Sequence, residues 1–301
     1  MNIKFLTIRT FFENKDTTKE YISKTFVVDI VKVYKAIEEA INDGLLNKNN
    51  DKIVVTDKGE EYLSQYKVDK AVILACGLGK RLGELTKDLP KCFLFINGER
   101  LIERQISQLK EAGIDDITIM VGYLSDEFKY LVEKYNVKLL YNEEYDIKNN
   151  LATLYKAKDI LKDSNVYICT SDVYIKDNIY HKFECDNYYT GNYQHDLSNE
   201  WQMIYDDDNK ITKVLIGGYK DDYIMVGPAF FNKDFVKNFM PMIDKAYHTD
   251  GTDNYYWENI LVENIDNLPD MYIYKLPPKT IYEFDKIEDI DNFNNDWNIK
   301  A

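Results

Sequence analysis

The densest chemistry in this 301-residue chain lies in Ala75-Cys76-Gly77-Leu78-Gly79-Lys80-Arg81-Leu82, followed by Pro90-Lys91. It comes directly after Lys70–Ala75, a short apolar run of the kind that forms a parallel strand buried on both faces. A glycine-rich turn at such a strand end lets backbone N–H groups approach phosphate oxygens. Arg81 and Lys91 add cations that can neutralise a triphosphate. The spacing is not that of a P-loop, because Lys80 is followed by Arg81. Nor is it a dinucleotide fingerprint, because Leu82 stands where the third glycine belongs.

Carboxylates supply the second chemical feature. Asp172 closes the apolar stretch Tyr167–Ser171, so it points into the crevice beyond a strand's carboxyl end. Far downstream, Glu283 and Asp285 stand at i and i+2, on one face if the chain is extended. Mg²⁺ takes one or two carboxylates plus phosphate oxygens. Asp206-Asp207-Asp208 reads instead as an exposed turn. The cysteines (76, 92, 169, 185) and histidines (181, 195, 248) have no zinc-ligand or disulfide spacing.

These residues need a scaffold, and the periodicity predicts one. Helices over 101–112, 127–135 and 151–161 alternate with strands over 117–121, 137–141 and 166–170. Mixed strands come next, at 188–193, 201–205, 211–215 and 223–231. The expected fold is α/β, a doubly wound, Rossmann-like mixed sheet over residues 69–301. Residues 1–68 differ. They are electrically neutral, whereas the whole chain carries −14. Three helices, a turn at Gly44, a short β pair ending in Ile53–Thr56 and a last helix give the order of a winged helix-turn-helix, and the segment resembles bacterial winged-helix regulators. DNA is one partner that order allows, through the third helix. Neutrality argues against it, since phosphate contacts supply most of such affinity. The acidic chain argues against bulk nucleic-acid or membrane-surface binding. No stretch is apolar enough to span a bilayer and the first twenty residues hold no signal-peptide core, so the expected location is the cytoplasm. A homodimer is an allowed assembly.

Gly77, Gly79, Arg81, Leu82, Pro90 and Lys91 resemble the G-x-G-x-R-[LM]…P-K signature of nucleotidyltransferases that activate sugar phosphates and phospho-alcohols. Glu84 and Cys76 depart from the usual proline and alanine. The resemblance implies that Arg81 holds the nucleotide phosphates and Lys91 the reacting phosphate. It implies base recognition near Leu74, Ala75, Gly77, Gly122 and Tyr123. Asp172, Asp285 and Glu283 would hold Mg²⁺. Asn149-Asn150 resembles a helix start that faces the substrate, although both are also good caps.

Over most of residues 69–301 the order of motifs looks more narrowly like bacterial CTP:phosphocholine cytidylyltransferases. Ser198–Trp201, Asn254–Asn259 and Ile281–Asp285 carry that likeness. It implies CTP and phosphocholine as substrates, with aromatic rings around the trimethylammonium group. The ring candidates are Trp201 and Tyr256, then Tyr193 and Trp257. Asn254 stands where those enzymes carry an acid, unless Asp253 substitutes, which leaves another amine open as head group. A sugar-1-phosphate or another phospho-alcohol or phosphonate acceptor, and a nucleotide-sensing transcription regulator, are the alternatives.

Overall fold

The computed structural model describes residues 1–49, 52–195, 200–217 and 220–298; Ser198 and Asn199 of the Ser198–Trp201 stretch lie outside them. Residues near the start form α1 (Ile3–Glu13), α2 (Lys19–Thr25), α3 (Ile30–Asn42), an antiparallel pair β1 (Leu46–Asn49) and β2 (Lys52–Val55), and α4 (Asp57–Ser64). Local sequence sets each start: Asn2, Thr18, Asp29 and Thr56 accept a backbone N–H in the first turn of α1, α2, α3 and α4. Gly44 leaves α3 at φ +72°, as expected.

Then comes the sheet. β3 (Lys70–Ala75) is succeeded by a minor pair, β4 (Phe95–Ile96) and β5 (Glu99–Arg100), and by α5 (Leu101–Glu111). β6 (Ile117–Val121), α6 (Lys129–Tyr135), β7 (Lys138–Tyr141), α7 (Asn150–Lys156), α8 (Lys158–Leu161), β8 (Val166–Thr170) and β9 (Val173–Ile175) complete the alternating half. The single helix expected over 151–161 is two, broken at Ala157. The second half contains β10 (Asn187–Gln194), β11 (Trp201–Tyr205), β12 (Ile211–Ile216), β13 (Asp222–Phe231), α9 (Lys233–Tyr247), α10 (Glu258–Asn264), β14 (Met271–Lys275), β15 (Ile281–Glu283) and α11 (Ile287–Asn298). β8, β3, β6 and β7 pair in parallel, β13 joins β8 antiparallel, and β11, β12, β10 and β14 extend the sheet. The fold is the expected mixed α/β sheet. Apolar side chains of β3 and β6 are buried on both faces, so the strand ends are rigid platforms for the loops that leave them.

The first four helices dock on the sheet through a buried charge. Arg9 is 1% exposed and Glu184 4%. The guanidinium donates to the Glu184 carboxylate and, at 3.2 Å, to the Phe183 carbonyl. Tyr167 and Tyr188 hydroxyls donate to the same carboxylate, each at 3.0 Å. Around this pair Phe12 packs on Phe183 and Phe26 on Tyr274. A buried pair is costly to form and far costlier to break on one side. Replacing Arg9 by Ala should therefore lower stability by about 3–5 kcal/mol, read from denaturant unfolding. A loss below about 1 kcal/mol, the range of exposed pairs, would show that the charge is not buried as described.

Candidate active site

A cavity of about 490 Å³ opens at the carboxyl ends of β3 and β8. Its first wall is the glycine loop. Gly79 sits at φ +63°, and Thr86 Oγ1 donates to its carbonyl at 2.8 Å, which fixes the turn. Space where a Gly77 Cβ would lie is open, so a ligand can approach the backbone there. Leu74 and Ala75 line the same wall. Arg81 is 61% exposed and reaches Asp285 at 3.0 Å.

In the centre, Lys91 rises from a short 3₁₀ turn, Lys91–Phe93. Its ammonium donates to Asp172 Oδ2 at 2.6 Å and to Asp285 Oδ1. Two distant stretches meet here because β15 pairs with β9, and Phe284 N–H donates to the Asp172 carbonyl at 3.0 Å. One oxygen each of Asp172, Glu283 and Asp285 falls within 4.8 Å of the others. Burial, then the charges of Asp172 and Asp285, pushes the Glu283 carboxyl well up. Burial alone would lower the Lys91 pKa, but the two aspartates outweigh it and raise it. Asp172 Oδ1 is buried and has no partner among the described residues. An all-oxygen set with an unspent buried lone pair fits a hard divalent cation.

At the far end, Tyr256 lines the cavity, is 41% exposed and meets Trp201 edge to face, centroids 6.1 Å apart; Trp201 itself is not among the lining residues. Asn150 and Asn254 line the cavity beside them. Behind Asn150, the Glu258 carboxyl is pushed up to about 7 by burial and accepts from the Tyr189 hydroxyl at 3.1 Å.

Several expected residues are placed elsewhere. Trp257 is 1% exposed and stacks on Tyr189, so it is core, as its helical spacing with Leu261 allows. Tyr193 is not among the residues that line the cavity; its ring packs on Tyr223 and His195. That aromatic group already has a cation, because Lys275 Nζ lies 4.0 Å from the Tyr205 centroid and 5.6 Å from that of Tyr223. Tyr123 is also absent from the lining, and its hydroxyl donates to the Lys87 carbonyl at 2.5 Å. Gly122 has a packing reason, since a Cβ there would come 2.5 Å from that of Tyr145. Asp253 pairs with Lys148 at 3.9 Å rather than taking the place of Asn254. Sequence reasoning missed the wall Tyr145–Lys148, a loop that carries no motif or periodicity.

Since Lys91 and a metal would share the same carboxylates, they compete. Lys91→Met should tighten Mn²⁺ binding in the absence of nucleotide by about tenfold, or about 1.4 kcal/mol, read by electron paramagnetic resonance. Unchanged affinity would show that the two cations do not share the site.

Comparison with known proteins fits this geometry. Residues 70–188 match the nucleotidyl transferase family model. The chain is 39% identical to the choline-phosphate cytidylyltransferase of Streptococcus pneumoniae, over 73% of this chain and 94% of that one. It is 33% identical to the 2-aminoethylphosphonate cytidylyltransferase of Lancefieldella rimae, over 75% and 92%. A solved structure of CTP:phosphocholine cytidylyltransferase from Streptococcus pneumoniae superposes with a TM-score of 0.73 at 37% identity, covering 77% of this chain and 99% of that one. With a phosphate-sized glycine loop, a cation-ready carboxylate cluster and relatives matched over nearly their whole length, the chain belongs to the nucleotidyltransferase family and is an enzyme of that type.

Proposed function

We propose that the enzyme transfers a cytidylyl group from CTP to phosphocholine, giving CDP-choline and pyrophosphate. The observation that carries this reading is the layout of one cavity, lined by a phosphate loop and cations and also by Tyr256, whose ring is backed edge to face by Trp201. An oxygen of the acceptor phosphate attacks the α-phosphorus, and the bond from that phosphorus to the pyrophosphate oxygen breaks. The nucleophile is already an anion, so no general base is needed. What the protein supplies is alignment and positive charge. Arg81 grips the leaving pyrophosphate, and Lys91 neutralises the reacting phosphate. The glycine loop and the backbone near Leu74, Ala75 and Gly122 hold the nucleotide. When bound by Asp172, Glu283 and Asp285, Mg²⁺ supplies further charge neutralisation at the phosphate oxygens. A trimethylammonium group has no N–H to satisfy, so ring faces suit it and an amide such as Asn254 costs it little.

In the same reading, residues 1–68 form a winged helix-turn-helix unit attached to a nucleotidyltransferase unit, 69–301, and the enzyme works in the cytoplasm. Against DNA as a partner, Lys32 of α3 is tied to Asp208 at 3.1 Å, which sets an acidic turn beside the helix that would enter the groove.

Pyrophosphate release with Mg²⁺, crossing the four common nucleoside triphosphates with phosphocholine, phosphoethanolamine, aminoethylphosphonate and glucose-1-phosphate, tests the proposal. Activity confined to CTP with phosphocholine is expected. A sugar phosphate as the better acceptor would overturn it. Trp201→Ala should raise KM for phosphocholine about tenfold and leave KM for CTP within about twofold, in keeping with the loss of one good cation–ring contact; equal changes in both would remove the ring pair from acceptor binding.

A further inference from the structure

We infer that Asn149 and Asn150 are positioning residues for the acceptor: they hold Tyr256 against Trp201 and do not bind the head group themselves. The inference rests on the phosphocholine reading above.

Tyr256 sits in a segment without a helix or strand, between α9 and α10. Such a segment has no ladder to fix it, yet a ring that binds a cation must stay in place. The first turn of α7 provides the fixing. Asn149 N–H donates to the Asp253 carbonyl at 2.7 Å, and Asn149 Nδ2 donates to the Asn254 carbonyl at 3.2 Å. Leu151 N–H donates to the Tyr255 carbonyl at 3.3 Å, and Trp257 N–H donates to Asn150 Oδ1 at 2.9 Å. The chain is thus bonded to α7 at 253, 254, 255 and 257. At 256, the backbone N–H turns instead to Asn259 Oδ1 at 2.8 Å, and the ring projects toward Trp201.

Both asparagines line the cavity, but both polar atoms of the Asn149 side chain and the Asn150 side-chain carbonyl oxygen are already engaged within the protein. Asn149 Oδ1 caps the Asn150 N–H at 2.8 Å, while its Nδ2 holds Asn254. Asn150 Oδ1 holds Trp257, while its amide group faces the buried Glu258 carboxyl. Beyond Trp257 lies solid core, so the clamp is anchored on its far side as well. Sequence alone allows these residues to be either caps or substrate ligands. The bonding makes Asn149 a cap and makes the pair a clamp.

A double-mutant cycle separates a clamp from a direct contact, because a residue acting only through Tyr256 has nothing left to do once that ring is gone. Steady-state KM and kcat for phosphocholine and CTP are measured for wild type, Asn150→Ala, Tyr256→Ala and the double variant. Expected are a rise of about tenfold in KM for phosphocholine with Asn150→Ala, an unchanged KM for CTP, and a further change of less than about twofold when the substitution is added to Tyr256→Ala. Effects that multiply in the double variant would overturn the inference. So would a loss shared equally by both substrates, which marks general damage. Should Asn150→Ala fail to fold, Asn149→Ala in the same cycle reads the same coupling. A wild type that turns over CTP only with another acceptor overturns the underlying reading; an active wild type with a multiplicative cycle overturns the clamp alone.

Discussion

Everything at the centre of this enzyme depends on the cation that Lys91 places between Asp172 and Asp285. Three carboxylates brought within a few ångströms repel one another strongly, and no hydrophobic packing offsets that. The ammonium relieves two of them, Arg81 assists at Asp285, and Glu283 relieves the third by favouring its proton. The backbone serves this balance. β15 lies on β9 through its ladder and through buried Ile281 and Phe284, and the charges it brings must be compensated there. The same compensation makes the site ready for phosphates, because a cluster neutralised by movable side chains can exchange them for ligands with little reorganisation.

Two halves of the site were legible in the sequence to different degrees. The phosphate loop could be read because strand, glycines and cations occur within about twenty residues, and local spacing translates directly into local geometry. Asp172 was legible for the same reason, standing at the end of an apolar strand. The pairing of Glu283 and Asp285 with it came only from family likeness, since no spacing rule joins residues more than a hundred positions apart. Aromatic residues were the hardest to assign. Trp257 and Tyr256 are neighbours in sequence, yet one is core and the other faces the cavity, because the segment between α9 and α10 has no regular period to tell them apart. Tyr193 illustrates the opposite failure. A cluster of rings does hold a cation there, but it is the chain's own Lys275.

The fold shows the same division. Strands buried on both faces and helices with a single apolar stripe were visible as patterns. The break at Ala157 was not, because the apolar spacing continues through it. How residues 1–68 sit on the rest was also invisible. Their hydrophobic pattern resembles that of a free-standing unit, whereas they are fixed by a buried arginine on α1 with a glutamate far along the chain and by rings that pack on Phe183 and Tyr274.

That last contact bears on how the protein is made. The apolar cluster of the first helices includes Phe183, with Tyr274 and Cys185 packed against it. A chain leaving the ribosome from its N-terminus has made α1 to α4 long before residue 183 emerges, and longer still before residue 274. For that interval Arg9 lacks Glu184, and the cluster around Phe5, Phe12 and Phe26 has an incomplete wall. The nascent segment therefore waits as a partly open surface, the kind of intermediate that chaperones hold, and it closes only when the sheet that will cover it has been synthesised.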